Sequence, residues 1–154
     1  MKLHLGLDET KTQNTVNHLE AILADTFILY TKTLNFHWNI VGADFAGLHA
    51  FFQTQYEELA LSVDEIAERI RTLGFKAPGT LADFLRLTHL HEVKEDLNDA
   101  EMIQKLLDDH ETLAAHIRKD LQEIDDQDAG TKGLLEGLMT GHEKTAWMLR
   151  SHLL

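Results

Sequence analysis

Asn35-Phe36-His37-Trp38-Asn39-Ile40-Val41-Gly42-Ala43-Asp44-Phe45-Ala46-Gly47-Leu48-His49 is the stretch on which the fold turns, because two long helical patterns meet at its Val41-Gly42-Ala43-Asp44 break. Upstream, Val16, Leu19, Ile22, Leu23, Phe27, Tyr30 and Leu34 recur at three- and four-residue steps and predict a helix from about Thr12 to Trp38. Gly42 is the stop signal, and Asp44 is the expected N-cap of the next helix. Downstream, Leu48, Phe52, Tyr56, Leu59, Val63, Ile66, Ala67 and Ile70 carry a second helix that stops at Leu73-Gly74. Ala77-Pro78-Gly79-Thr80 reads as a turn whose threonine caps a short helix over Leu81 to Leu87. Thr88 to Asn98 is the least periodic segment. A third long helix then carries Met102, Ile103, Leu106, Leu107, Leu113, Ile117, Leu121 and Ile124. After the acidic turn Asp125-Asp126-Gln127-Asp128-Ala129-Gly130, a last helix carries Leu134, Leu135, Leu138, Met139, Trp147 and Leu149. The expected fold is all-α: a four-helix bundle with a short extra helix in the connection between the second and third long helices. One domain over 1–154 is expected, with 1–10 as a short N-terminal extension.

Composition narrows the function. Fourteen Lys and Arg face 26 Asp and Glu, a formal charge of −12 with histidine neutral. Such a chain is repelled by nucleic acid unless a basic arm compensates. The absence of cysteine removes disulfides, thiolate nucleophiles and sulfur-ligated metals. Met1 to Thr10 lacks the cationic and apolar blocks of a signal peptide, and no apolar run is long enough to span a membrane. A cytoplasmic chain without a membrane partner is therefore expected.

His37 and His49 flank the break, five residues before Gly42 and seven after it. In an antiparallel hairpin they reach similar heights, so their imidazoles can face one another. Asp64 and Glu68 follow at i and i+4 on one face of the second helix. Two imidazoles and two carboxylates form a borderline-hard donor set suited to iron, zinc or manganese. Like charges on neighbouring turns repel without a cation, and Asp64 adjoins apolar Ala60, Leu61 and Ala67, so a buried carboxylate pair neutralised by metal is one reading. The other makes His37 a cap or core residue and places Asp64 and Glu68 on a solvated face, with Glu65 and Arg69 as an ordinary i,i+4 ion pair. Distance constrains the first reading. His49 and Asp64 are fifteen residues apart on one helix, roughly 22 Å at 1.5 Å per residue. If the four share a site, the second helix must pair antiparallel with its copy, giving a two-fold dimer with two equivalent metal sites. No Glu-x-x-His occurs, so a di-iron site inside each bundle lacks its motif. His-Glu-x-x-His, the phosphate-binding glycine loop and the nucleophile elbow are also absent.

Asn35-Phe36-His37-Trp38-Asn39, Gly42, Phe45, Leu48-His49 and Val63-Asp64-Glu65-Ile66-Ala67-Glu68-Arg69-Ile70 resemble the Dps family of miniferritins. Ala77-Pro78-Gly79-Thr80 and His142-Glu143-Lys144-Thr145-Ala146-Trp147-Met148-Leu149-Arg150 extend the resemblance over nearly the whole chain. It implies a hollow dodecamer of ferritin-like bundles that oxidises Fe(II), preferentially with hydrogen peroxide, and stores ferric mineral. It also implies a two-fold iron centre with His37 and His49 from one subunit and Asp64 and Glu68 from its partner; zinc is another ion that the same donor set could take. Trp38 matches the family's tryptophan beside that centre, and at minimum packs the helix end.

Two departures from the family pattern stand out. Four residues after His49, where the family usually has a carboxylate near a second iron, stands Gln53. Gln53 could bond a metal-bound water, or Glu57 one turn later could compensate; one firm iron and a weak second are expected. Asp125, Asp126 and Asp128 are candidates for the acidic lining of a three-fold pore, or form a solvated acidic turn. The family's Thr-x-Asp-Leu in this region reads Thr131-Lys132-Gly133-Leu134, so one pore carboxylate is missing. The alternative function, DNA compaction, lacks a lysine-rich tail: the N-terminus offers only Lys2 and Lys11, near Asp8 and Glu9. Direct DNA binding is not expected. A purely structural helical oligomer is a third reading. His89, His91, His110, His116 and His142 read as surface or core residues, with His89-x-His91 in a solvated loop.

Overall fold

Asp8 opens the first helix by accepting the Lys11 N–H at 2.9 Å, and this cap starts the helix earlier than its apolar pattern does. The computed structural model describes residues 4–154, and the first helix, α1, runs Glu9–Asn39. Glu9 and Thr10 thus belong to the helix rather than to the expected 1–10 extension, whose residues 1–3, including Lys2, lie outside the described residues. α1 ends at Ile40, and Gly42 follows with φ +129°, a conformation that L side chains rarely adopt.

The second helix, α2, spans Phe45–Thr72. Asp44 holds its N-cap position but makes no capping bond. Its carboxylate lies over Gly47 instead, where an added Cβ would sit 2.6 Å from Asp44 Oδ1. The helix closes in a Schellman motif: Phe75 N–H reaches the Ile70 carbonyl, Gly74 N–H reaches Arg71, and Gly74 takes φ +90°. The short helix α3 is Leu81–Leu87, capped by Thr80 through the Asp83 N–H at 3.1 Å, as expected. A reciprocal Asn98–Glu101 capping box opens α4, Asp99–Asp120. The third long helix is therefore shorter than its apolar pattern suggests. Leu121 is its C-cap, and Ile124 is buried from the turn beyond it. The last helix, α5, is Ala129–His152.

These five helices, with no strand among the described residues, build a four-helix bundle with a short extra helix between its second and third long helices. α1 packs on α2 and α4 on α5, α3 lies against α1, and α2 and α5 meet least. Two apolar clusters fill the bundle along its length. One holds Ile28, Phe36, Phe52, Leu106 and Leu149; the other holds Leu19, Leu23, Ile66, Ile70 and Leu135. Each fully buried side chain of this size stabilises the fold by roughly 1.5–3 kcal/mol.

Polar groups are buried as well. Lys32 reaches across from α1 to an ion pair with Asp109, whose carboxyl is pushed up by burial against the pull of the ammonium. His110 and His142 meet through their Nδ1 atoms at 2.9 Å, beside a cavity of about 110 Å³ also lined by Gln55, Ser62 and Thr145. His110 Nε2 and both amide atoms of Gln55 have no protein partner. The cavity has room for water beside these polar groups.

Burial pushes the His142 ring down to about 4 and holds His110 well below the ordinary 6.5, with His142 adding to the depression. Because the folded values lie below the unfolded ones, the unfolded chain takes up protons first as pH falls. The stability these rings contribute is present above pH 6.5 and is lost towards pH 4. From His142 alone the loss is on the order of 3 kcal/mol. Denaturant unfolding at steps between pH 7 and 4 should show it, with a shallower fall in His142→Gln; identical pH slopes would contradict it.

Candidate metal centre

The hairpin across Gly42 brings His37 and His49 together as their spacing suggests, and fixes them more tightly than spacing alone requires. His37 Nδ1 donates to the His49 backbone carbonyl at 2.8 Å, and His49 Nδ1 donates to the His37 carbonyl at 2.8 Å. The rings stack with centroids 3.8 Å apart. Phe45 stacks on the outer side of His49, and Tyr56 meets His37 edge-on. Both carbonyls belong to helical backbone, so each ring is held by the other helix. With a proton on each Nδ1, both Nε2 atoms keep their lone pairs, the tautomer a metal requires.

Asp64 and Glu68 are elsewhere on α2, and both are exposed in the protomer. Of the two readings of this pair, the protomer shows the solvated face and not the buried pair. Glu65 and Arg69 do not form the ordinary ion pair either: Arg69 turns to Asp128 at 2.7 Å and to the Thr131 hydroxyl at 2.9 Å. His49, Gln53, Glu57, Leu61, Asp64 and Glu68 follow at three- and four-residue steps and share one side of α2, within about a 120° arc at 100° per residue. Large apolar side chains are also exposed: Leu61 on that side, and Trp38, Val41 and Phe45 around the histidine pair. Gln53 donates to the Glu57 carboxylate at 2.8 Å, so the amide and this acid are engaged with each other. The bundle interior, where larger ferritin-like proteins hold iron, carries Lys32–Asp109 and His110–His142 instead of Glu-x-x-His motifs.

The acidic turn carries a cation for each carboxylate. Lys11 reaches Asp125 at 3.3 Å, and Lys132 pairs with Asp126, its hydrogen bond and charge holding that carboxyl below the usual range. Asp128 is buried. It caps α5 through the Thr131 N–H at 3.0 Å, accepts the Thr131 hydroxyl at 2.7 Å, and holds Arg69. Both Asp128 oxygens are thus committed inside the protomer, whereas Asp126 is fully exposed.

Among the described residues, one group of three metal-binding side chains comes within reach of a common ion in a single protomer, and none of the four residues above belongs to it. Asp25 on α1, His89 after α3 and His116 on α4 place one donor atom each within 4.8 Å of the others. Sequence spacing gave no signal here, because the three stand on separate elements 64 and 27 residues apart.

A ferritin-like domain matches residues 16–154. A low-temperature-induced protein of Nostoc sp. is 40% identical over 155 residues, 99% of this chain and 87% of that one. DNA protection during starvation protein 2 of Bacillus anthracis is 34% identical over 142 residues, 92% of this chain and 97% of that one. The crystal structure of the Dps protein from Vibrio cholerae O1, described as a member of a broad superfamily of ferritin-like diiron-carboxylate proteins, superposes with a TM-score of 0.93. It is 33% identical and covers 100% of this chain and 98% of that one. The chain belongs to the Dps family of ferritin-like proteins.

Asp128→Ala should lower stability by roughly 2 kcal/mol, through a lost cap and an unpaired, partly exposed guanidinium. Asp126→Ala should leave stability within about 0.5 kcal/mol of wild type. Urea midpoints test the pair, and equal midpoints for both variants would contradict the assignment.

Proposed function

We propose that this chain is a ferroxidase and iron-storage subunit that oxidises Fe(II), preferentially with hydrogen peroxide, and keeps the ferric product inside a hollow homo-dodecamer in the cytoplasm. The observation that carries this reading is the reciprocal His37–His49 pair, two imidazoles locked in the ligating tautomer beside exposed apolar surface. Family membership supports iron as the substrate.

In this reading α2 pairs antiparallel with its copy across a two-fold axis, covering Trp38, Phe45 and Leu61. His37 and His49 of one subunit and Asp64 and Glu68 of the partner subunit then bind one iron. The imidazoles suit Fe(II), and the carboxylates stabilise the Fe(III) product. Two Fe(II) and two protons reduce one peroxide to two waters, so both oxygen atoms leave as water rather than as hydroxyl radical. Trp38, next in sequence to a ligand, is placed to intercept one-electron oxidants. Zinc competes for the same donors. Asp125 and Asp126 are the candidates for pore-lining carboxylates, since Asp128 already serves the protomer as a cap.

Protection of DNA, named in the relative from Bacillus anthracis, follows here from removing Fe(II) and peroxide together. Direct binding has little support: the chain carries −12, and Lys11 is paired with Asp125.

Two measurements test the proposal. Fe(II)-dependent peroxide consumption should approach one peroxide per two iron, and His49→Ala should slow it about tenfold or more while particle mass stays unchanged; an unchanged rate in the variant would exclude the assigned centre. Fe(II) titration should show one tight and one weak iron per site, with Gln53→Asp tightening the second. Two equally tight sites in the wild type would contradict the role given to Gln53.

A further inference from the structure

We propose that Asp25, His89 and His116 form a second metal site, held within a single protomer and taking a divalent borderline ion of the zinc class. It is separate from the two-fold centre and does not depend on that reading.

The site lies where the apolar packing is interrupted. α1 passes from one cluster to the other between Ala24 and Ile28, and α4 does so between Leu113 and Ile117. Asp25 and His116 occupy these two gaps. Asp25 is 2% exposed, so its carboxylate is deep in the fold, and its orientation is fixed before any ion arrives. Oδ1 accepts the Thr88 hydroxyl at 2.7 Å and the His89 backbone N–H at 2.6 Å. Among the described residues, Oδ2 accepts only the His89 ring, from Nδ1 at 3.0 Å. Thr88 and the His89 amide therefore act as the outer hydrogen bonds that orient a ligating carboxylate, with Oδ2 left as the donor.

The third group shows the unmet demand. The His116 ring stands edge-on to His89, centroids 4.9 Å apart, and its Nδ1 is buried without a hydrogen-bond partner. A buried ring nitrogen without a partner carries a desolvation penalty, which an ion bound at that nitrogen would remove. Two imidazole nitrogens and one carboxylate oxygen match the three-ligand sets used by zinc, with a fourth position for solvent. Donors around such an ion stand about 3.3 Å apart, from bonds of ~2.0–2.1 Å. The present spread, within 4.8 Å, is wider than that, and the His89 side chain, 56% exposed, has open space on its solvent side in which to adjust. The ion takes the place of the proton shared between His89 Nδ1 and Asp25 Oδ2; that proton moves to Nε2 or to solvent. Once bound, it ties the Thr88–Asn98 connection to both α1 and α4.

The test is equilibrium dialysis of the full-length protein against Zn²⁺, with the two-fold centre disabled by His49→Ala. One zinc per chain should remain in His49→Ala, and adding His89→Ala should weaken it about tenfold or more. His89 is exposed, so its removal leaves no cavity, and His116→Gln provides the second variant. Zn²⁺ should also raise the unfolding temperature of His49→Ala but not of His49→Ala/His89→Ala. Zinc retained with equal affinity in the double variants, or absent from His49→Ala, overturns the site. Equal zinc in wild type and His49→Ala, lost on His89→Ala, would sustain this site while counting against the two-fold centre. Fe(II)-dependent peroxide consumption should be the same in His89→Ala as in wild type.

Discussion

An α-helix advances about 1.5 Å per residue and cannot fold back on itself, so donors fifteen positions apart on α2 cannot meet in one chain. Everything about the proposed iron chemistry follows from that stiffness. One end of α2 carries His49, locked to His37 by two backbone hydrogen bonds across the Gly42 turn. Further along the same side stand Asp64 and Glu68, exposed and unpaired with the histidines. A single protomer thus holds half of a donor set at each of two places, and apolar Leu61, Trp38 and Phe45 lie exposed alongside. In the proposed assembly, antiparallel pairing of two such rods would complete two sites at once and cover the apolar surface, making assembly and chemistry one event.

Much of the fold was legible because helices announce themselves by period and by punctuation. Gly42, Gly74 and Thr80 marked ends that the structure keeps, with φ +129° and +90° at the two glycines. Where punctuation is polar and local, the apolar pattern misled. Asp8 starts α1 ahead of its first buried residue, and Ile124 is buried from a turn, so its apolar character did not extend α4. The histidine pair was visible in spacing across a hairpin, whereas its hydrogen bonds run to backbone carbonyls, which sequence does not display. The three-element cluster of Asp25, His89 and His116 left no trace in spacing, since only tertiary packing brings α1, the α3–α4 connection and α4 together.

Charge illustrates the same limit. Read as a string, Asp125, Asp126 and Asp128 form an acidic turn; in space each has its own cation, from Lys11, Lys132 and Arg69. Arg69 arrives from α2, beside Glu68, so the turn and the acidic end of the stripe are mechanically joined. Gly130 makes the room: a Cβ there would lie 2.9 Å from Arg69 Nη2. The net charge of −12 therefore says little about this turn.

Complementation between subunits tests the central claim most directly. His49→Ala and Asp64→Ala variants, each slowed about tenfold or more alone, are dissociated, mixed in equal amounts and reassembled, and Fe(II) oxidation is followed. If each site draws its nitrogens from one chain and its carboxylates from the other, a mixed pair contains one site with both lesions and one with none. Random pairing then restores about a quarter of wild-type activity. Mixtures that stay as slow as their components would show that the four side chains do not meet across two chains.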